Sequence, residues 1–176
     1  MPLAGPVALR DHPAPSRNAR SPAVTSSVSQ IAPADSADAA AHFERKLALE
    51  TDCWDVHEAL SRDADFVLLD VRSPERYVRG HIPGAVNLPH GKIVESKLSS
   101  YPKDTLFVVY CAGPHCNGAD RAAARLARLG RPVKLMIGGV SGWLDEGFPL
   151  QRTVSDGDHH ISEVANRAAP AGRAPG

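Results

Sequence analysis

Cys111 is the residue best placed to do covalent chemistry. It follows an apolar run at residues 106–110 and opens a loop, Ala112-Gly113-Pro114-His115-Cys116-Asn117-Gly118, that leads into an alanine-rich stretch at 119–129. A thiol at the end of a buried strand, facing a helix N-terminus, sits in a positive field that favours thiolate over thiol. Gly113 and Gly118 let loop N–H groups turn inward and cradle an anion. The pattern suits a nucleophilic cysteine, with residues 112–118 as its binding loop. Cys116 leaves three readings open. It is a resolving thiol that closes a loop disulfide, the nucleophile itself with Arg121 downstream, or a small filler. The end of the apolar run at Tyr110 favours Cys111. His115, next to Cys116, either lowers a thiol pKa, contacts a bound small molecule, or is an ordinary exposed loop histidine.

Such a loop needs a sheet to hold it. Residues 66–69 (Phe-Val-Leu-Leu) form a continuous apolar run, as expected of a strand covered on both faces. Residues 85–88, 106–110 and 133–137 read as three more strands. Ser73-Pro74-Glu75 is a helix start, and the helix at 119–129 stops at Gly130. Ser36 can cap a helix over 37–50 with Phe43 and Leu47 on one face. Asp52 can cap a second helix with Val56 and Leu60 inward, and Cys53 at its start reads as structural. Strands alternating with helices predict an α/β fold: one domain with a parallel central sheet flanked by helices on both faces. Ligands bind at the carboxyl ends of such strands, where Cys111 lies.

The chain has 176 residues, enough for one domain and its tails. Twenty basic and twenty acidic residues cancel, so no global charge draws it to nucleic acid or an anionic membrane. Three cysteines are too few for a disulfide scaffold, which suggests a reducing cytoplasmic setting. No apolar run approaches a membrane span, and the N-terminus lacks the pattern of a secretory signal. Residues 1–35 are rich in Pro, Ala and Ser and are expected to be disordered; 36–152 form the domain; 153–176 are a flexible tail. His159-His160 in that tail reads as solvated rather than metal-binding.

Several segments, taken in order, resemble the rhodanese (sulfurtransferase) domain. They are Leu69-Asp70-Val71-Arg72; Gly80-His81-Ile82-Pro83-Gly84-Ala85-Val86-Asn87-Leu88-Pro89; Val108-Val109-Tyr110-Cys111 with its loop; and Gly138-Gly139, Gly142-Trp143 and Gly147-Phe148-Pro149. The residues also support structural readings of their own. Arg72 is near enough to Asp70 for a charge-assisted contact that holds the next loop. His81 is expected to hydrogen-bond its turn, Gly80 and Gly84 to supply unusual backbone angles, and Trp143 to anchor the core.

The resemblance implies that Cys111 takes a sulfane sulfur from a donor such as thiosulfate. It becomes a persulfide and passes the sulfur to cyanide, a small thiol or a protein acceptor. Loop N–H groups would stabilise the charged sulfur, with no metal or cofactor. This chain departs from the family in a longer loop that lacks the usual arginine, since Arg121 arrives only on the helix. A longer loop keeps phosphatase or arsenate reductase chemistry as an alternative. A non-catalytic binding module and a redox switch through Cys111 and Cys116 are the others. The rim residues His90 and Lys92, together with Lys134, are candidates to attract an anionic donor.

Overall fold

The computed structural model describes residues 26–153. The expected tail at 153–176 and the His159-His160 pair lie outside the described residues, apart from Thr153, as do residues 1–25 of the N-terminal segment. Among the described residues, those up to Ala39 and those from Ala40 onward belong to two separate units. In the first, Ser26 Oγ meets Ser29 Oγ at 3.1 Å in an exposed turn. The Asp35 carboxylate accepts from the Ala37 N–H at 2.8 Å. This corrects the expected cap: Ser36 is the first residue of helix α1 (Ser36–Leu49), and Asp35 supplies the capping oxygen.

From Ala40 onward α1 leads into β1 (Glu50–Thr51), α2 (Cys53–Leu60), β2 (Phe66–Asp70), α3 (Pro74–Arg79) and β3 (Val86–Asn87). A 3-10 turn (His90–Lys92) and α4 (Glu95–Leu98) precede β4 (Leu106–Tyr110), α5 (Gly118–Arg128), β5 (Val133–Met136) and α6 (Gly139–Asp145). All strand pairings are parallel, in the order β1-β5-β4-β2-β3, so the expected α/β sheet is present with an added edge strand. At two residues β1 is too short for any alternation to announce it.

Alternation along the inner strands builds two cores. Leu68, Val108 and Tyr110 face a cluster with Val56, Met136, Val140 and Trp143. Leu69, Phe107 and Val109 face the opposite cluster, with Leu98 of α4 and Ala119, Ala122 and Leu126 of α5. Both faces of β2 and β4 are therefore covered, which is why they read as unbroken apolar runs. Asp52 caps α2 as expected, accepting from the Asp55 N–H at 2.8 Å. Trp143 is buried, and its Nε1–H donates to Pro149 O at 2.9 Å. The α1 stripe behaves differently: Phe43 and Leu47 are 60% and 71% exposed, and no α1 side chain is buried among the described residues. No helix among the described residues is long and apolar enough to cross a membrane.

Candidate active site

β2 and β4 lie side by side at the centre of the sheet, and their carboxyl ends deliver Val71-Arg72 and Cys111-Ala112 to one rim. An open pocket of about 460 Å³ sits there. Cys111, Ala112, Gly113, His115, Cys116, Asn117 and Gly118 line it, together with Arg72, Ser73, Arg76, His90 and Ser141. Of the candidate loop residues, Pro114 alone does not line it.

The loop is pinned by its neighbours. Val140 and Ser141 at the start of α6 donate backbone N–H bonds to Cys111 O (3.1 Å) and Ala112 O (2.9 Å), and Ser141 Oγ–H also donates to Ala112 O (3.0 Å). Gly139 makes this approach possible: its φ is +57°, and a Cβ there would stand 2.6 Å from Cys111 O. The Cys116 N–H donates to Gly113 O at 3.0 Å, a turn that brings Cys116 back over Cys111. α5 then begins at Gly118, which lies beside the Cys111 sulfur, so the positive end of the helix dipole is close to it. A Cβ on Gly118 would lie 2.8 Å from Cys111 Sγ and 3.3 Å from Cys116 Sγ, so both sulfurs converge above a position that only glycine fits.

Cys111 and Cys116 are joined in a disulfide, with their Cα atoms 6.4 Å apart. Among the readings of Cys116, the inert filler is excluded by this pairing. Neither sulfur is a thiolate in this state, so nucleophilic chemistry here begins with reduction.

Below the pocket lies a buried polar chain. The Ile82 N–H donates to Tyr110 Oη (3.1 Å), and Tyr110 Oη–H donates to Asp70 Oδ2 (3.0 Å). Arg72 grips the same carboxylate through Nε (2.9 and 3.1 Å) and Nη2 (2.5 Å), and Nη2 also donates to Gly80 O (2.7 Å). Burial lowers the Arg72 pKa, but the hydrogen bond and charge of Asp70 outweigh it and leave the pKa raised. Burial, then the Asp70 charge, also pushes the Tyr110 phenol up. Asp70 and Arg72 thus hold the next loop through Gly80. The His81 ring stacks on Tyr77, its Nδ1 lies 2.9 Å from Tyr77 O, and it stays outside the Cys111 pocket.

Three expectations need correction. Gly80 has φ 166°, ordinary extended backbone; what it provides is room, since a Cβ would lie 3.2 Å from Leu150 Cδ1. Gly84, at φ +78°, does adopt the left-handed conformation. Lys134 does not line the pocket to attract a donor there; its Nζ donates to the Leu47 carbonyl at 2.9 Å. Lys92 lines a separate cleft beside β3, which leaves His90 as the one predicted rim residue in the pocket. Sequence reasoning missed Arg76 and Ser141, which arrive from α3 and α6. A motif around Cys111 carries no signal for them.

Cys53 is walled off from this chemistry. It is buried, its S–H points to Ile137 O (3.5 Å) and Gly139 O (3.8 Å), and its pKa is pushed up to about 11 by burial, then by Asp52, Glu146 and Asp145. Iodoacetamide at neutral pH should therefore label Cys111 and Cys116 after reduction and spare Cys53 until the protein unfolds. Equal labelling of all three in the folded protein contradicts this. The stability that the neutral Cys53 thiol contributes is fully present below the ordinary thiol pKa and is lost as the pH climbs toward about 11.

A family model described as rhodanese-like domain matches residues 54–146. An HTH-type transcriptional regulator of Mycobacterium tuberculosis is 39% identical over 87 residues, which cover 49% of this chain and 38% of the regulator. This chain therefore spans well under half of that relative. A sulfurtransferase of Allochromatium vinosum is 30% identical over 101 residues, covering 57% of this chain and 92% of that protein. The crystal structure of a Bacillus halodurans protein superposes with a TM-score of 0.66 at 34% identity, covering 74% of this chain and 96% of that one. With more than half its length inside the family model, and with the parallel sheet and strand-end cysteine loop in place, the chain belongs to the rhodanese-like domain family.

Proposed function

We propose that the chain is a sulfurtransferase that carries sulfane sulfur as a persulfide on Cys111. The observation that carries this reading is the position of Cys111. It sits at the carboxyl end of the central strand, against the N-terminus of an eleven-residue helix, in a pocket open to small anions. The reduced Cys111 thiolate attacks the outer sulfur of thiosulfate. The S–S bond of the donor breaks, sulfite leaves with the electron pair, and Cys111 holds a persulfide anion. Cyanide, a small thiol or a protein thiolate then takes the outer sulfur and restores the thiolate. Loop and α5 N–H groups stabilise both anions. Arg76, which lines the same pocket, supplies the cationic partner that the loop lacks. Name and coverage of the Allochromatium sulfurtransferase support the same chemistry.

The reading is tested on Cys116→Ser, which lacks the second loop thiol: the protein is reduced, freed of reductant, given thiosulfate and mapped by mass. The Cys111 peptide should gain one sulfur atom as sulfite is released. No persulfide on Cys111 with any sulfane donor rejects it.

A redox-switched binding module is the second reading. The loop disulfide and the similarity to a transcriptional regulator favour it. It expects peroxide to close the disulfide and change partner binding while no donor loads sulfur. Phosphatase or arsenate reductase chemistry loses ground because the loop has no arginine, and Arg121 lies on α5 outside the Cys111 pocket. The cytoplasmic setting expected from cysteine usage fits a site whose loop disulfide must be reduced before Cys111 can act.

A further inference from the structure

We propose that Cys116 discharges the Cys111 persulfide as sulfide. This makes the domain a dithiol-dependent reductase of sulfane sulfur as well as a carrier of it. The inference rests on the persulfide reading above and concerns the fate of that intermediate.

The turn closed by the Cys116 N–H on Gly113 O carries Cys116 back over the strand end, and the missing Cβ of Gly118 leaves space where both sulfurs meet. The two are bonded in this structure, so Cys116 Sγ reaches Cys111 Sγ with the surrounding fold intact. The Cα separation of 6.4 Å lies within the range that disulfides span without backbone movement. What Cys116 reaches is the inner sulfur of a Cys111 persulfide. Attack on the outer sulfur only moves the cargo. Attack on the inner one expels it, and hydrosulfide is a good leaving group at neutral pH.

The sequence of bonds balances. The Cys111 thiolate and thiosulfate give the Cys111 persulfide anion and sulfite. Cys116 then bonds to Cys111 Sγ as the bond to the outer sulfur breaks. The Cys116 proton leaves with that sulfur as hydrosulfide, and the loop disulfide remains. The sulfane sulfur is reduced by two electrons, and the two loop thiols are oxidised by two. An external dithiol, small or carried by a protein, exchanges with the exposed side of the disulfide and restores both thiols. Cys53 cannot substitute, being buried on the far side of the Gly138-Gly139 turn with its thiol held neutral.

The test is a single turnover without acceptor. Reduced, desalted protein is mixed with thiosulfate under nitrogen, and sulfite, sulfide and loop peptides are quantified. The wild type should release sulfite and sulfide in about equal amounts and end as the Cys111–Cys116 disulfide. A second addition of thiosulfate should give nothing until a dithiol is supplied. In Cys116→Ser the ratio of sulfide to sulfite should fall by roughly tenfold or more, with the persulfide persisting on Cys111. Using the ratio removes any effect of the substitution on loading. Sulfite with a stable wild-type persulfide, or sulfur found on Cys116, overturns the proposal and leaves the carrier reading standing. An unchanged ratio in Cys116→Ser also overturns it. Absence of sulfite overturns both.

Discussion

Cys111→Ser is expected to lower thiosulfate-to-cyanide sulfur transfer by about three orders of magnitude or more, to the uncatalysed background. The hydroxyl fits the space of the thiol, which is nearly buried against Gly118, so the loss reads out chemistry rather than folding. A serine hydroxyl is not ionised at neutral pH, and oxygen cannot form the S–S bond that holds the cargo. Cys116→Ser should behave differently. It should still load sulfur and pass it to cyanide, because an external acceptor attacks the outer sulfur without help from Cys116. The comparison must be made on reduced protein, since the disulfide masks both thiols. Full transfer in Cys111→Ser with loss in Cys116→Ser would reverse the assignment of nucleophile.

The strand that presents Cys111 was legible because burial on both faces leaves a mark on sequence. Residues 106–110 had to be apolar throughout, and the chain had to break at the next residue to make a loop. β2 carries the same mark, and Gly118 to Arg128 shows an alanine face narrow enough to lie on the sheet. What escaped has a different physical origin. β1 and α4 are two and four residues long, below the length at which any period can be seen. Arg76 and Ser141 enter the pocket from segments far from Cys111 in sequence, so only the crossing of α3 and α6 over the rim brings them there. Gly138-Gly139 was visible as a pair. Its purpose, letting α6 close on the Cys111 carbonyl, depends on a contact made only in three dimensions. The arginine of the pocket lining is the same case: the missing loop arginine could be read directly, whereas the arrival of Arg76 at the pocket could not.

The largest effect on stability is expected at Asp70. Its carboxylate is fully buried and accepts from Arg72 Nε and Nη2, the Arg72 N–H and Tyr110 Oη–H. Asp70→Ala leaves a guanidinium 8% exposed with no counter-charge and a buried phenol with no acceptor. Removing one partner of a buried ion pair costs about 3–5 kcal/mol, because the remaining charge stays desolvated. That is a large part of the stability of a domain this size. Asp70→Asn keeps one acceptor oxygen but loses the charge and turns an amide NH2 toward groups that donate to the carboxylate, so about 1–3 kcal/mol is expected. Urea unfolding followed by tryptophan fluorescence measures both, with Trp143 reporting from the core. The double variant Asp70→Ala with Arg72→Met should be more stable than Asp70→Ala alone, because it removes the orphaned charge. If Asp70→Ala unfolds at the wild-type midpoint, the pair is not what holds β2 against the loop at Gly80. The same variants separate bracing from chemistry. Asp70 and Arg72 hold the chain beneath the pocket, so Asp70→Asn protein that remains folded should still load sulfur on Cys111.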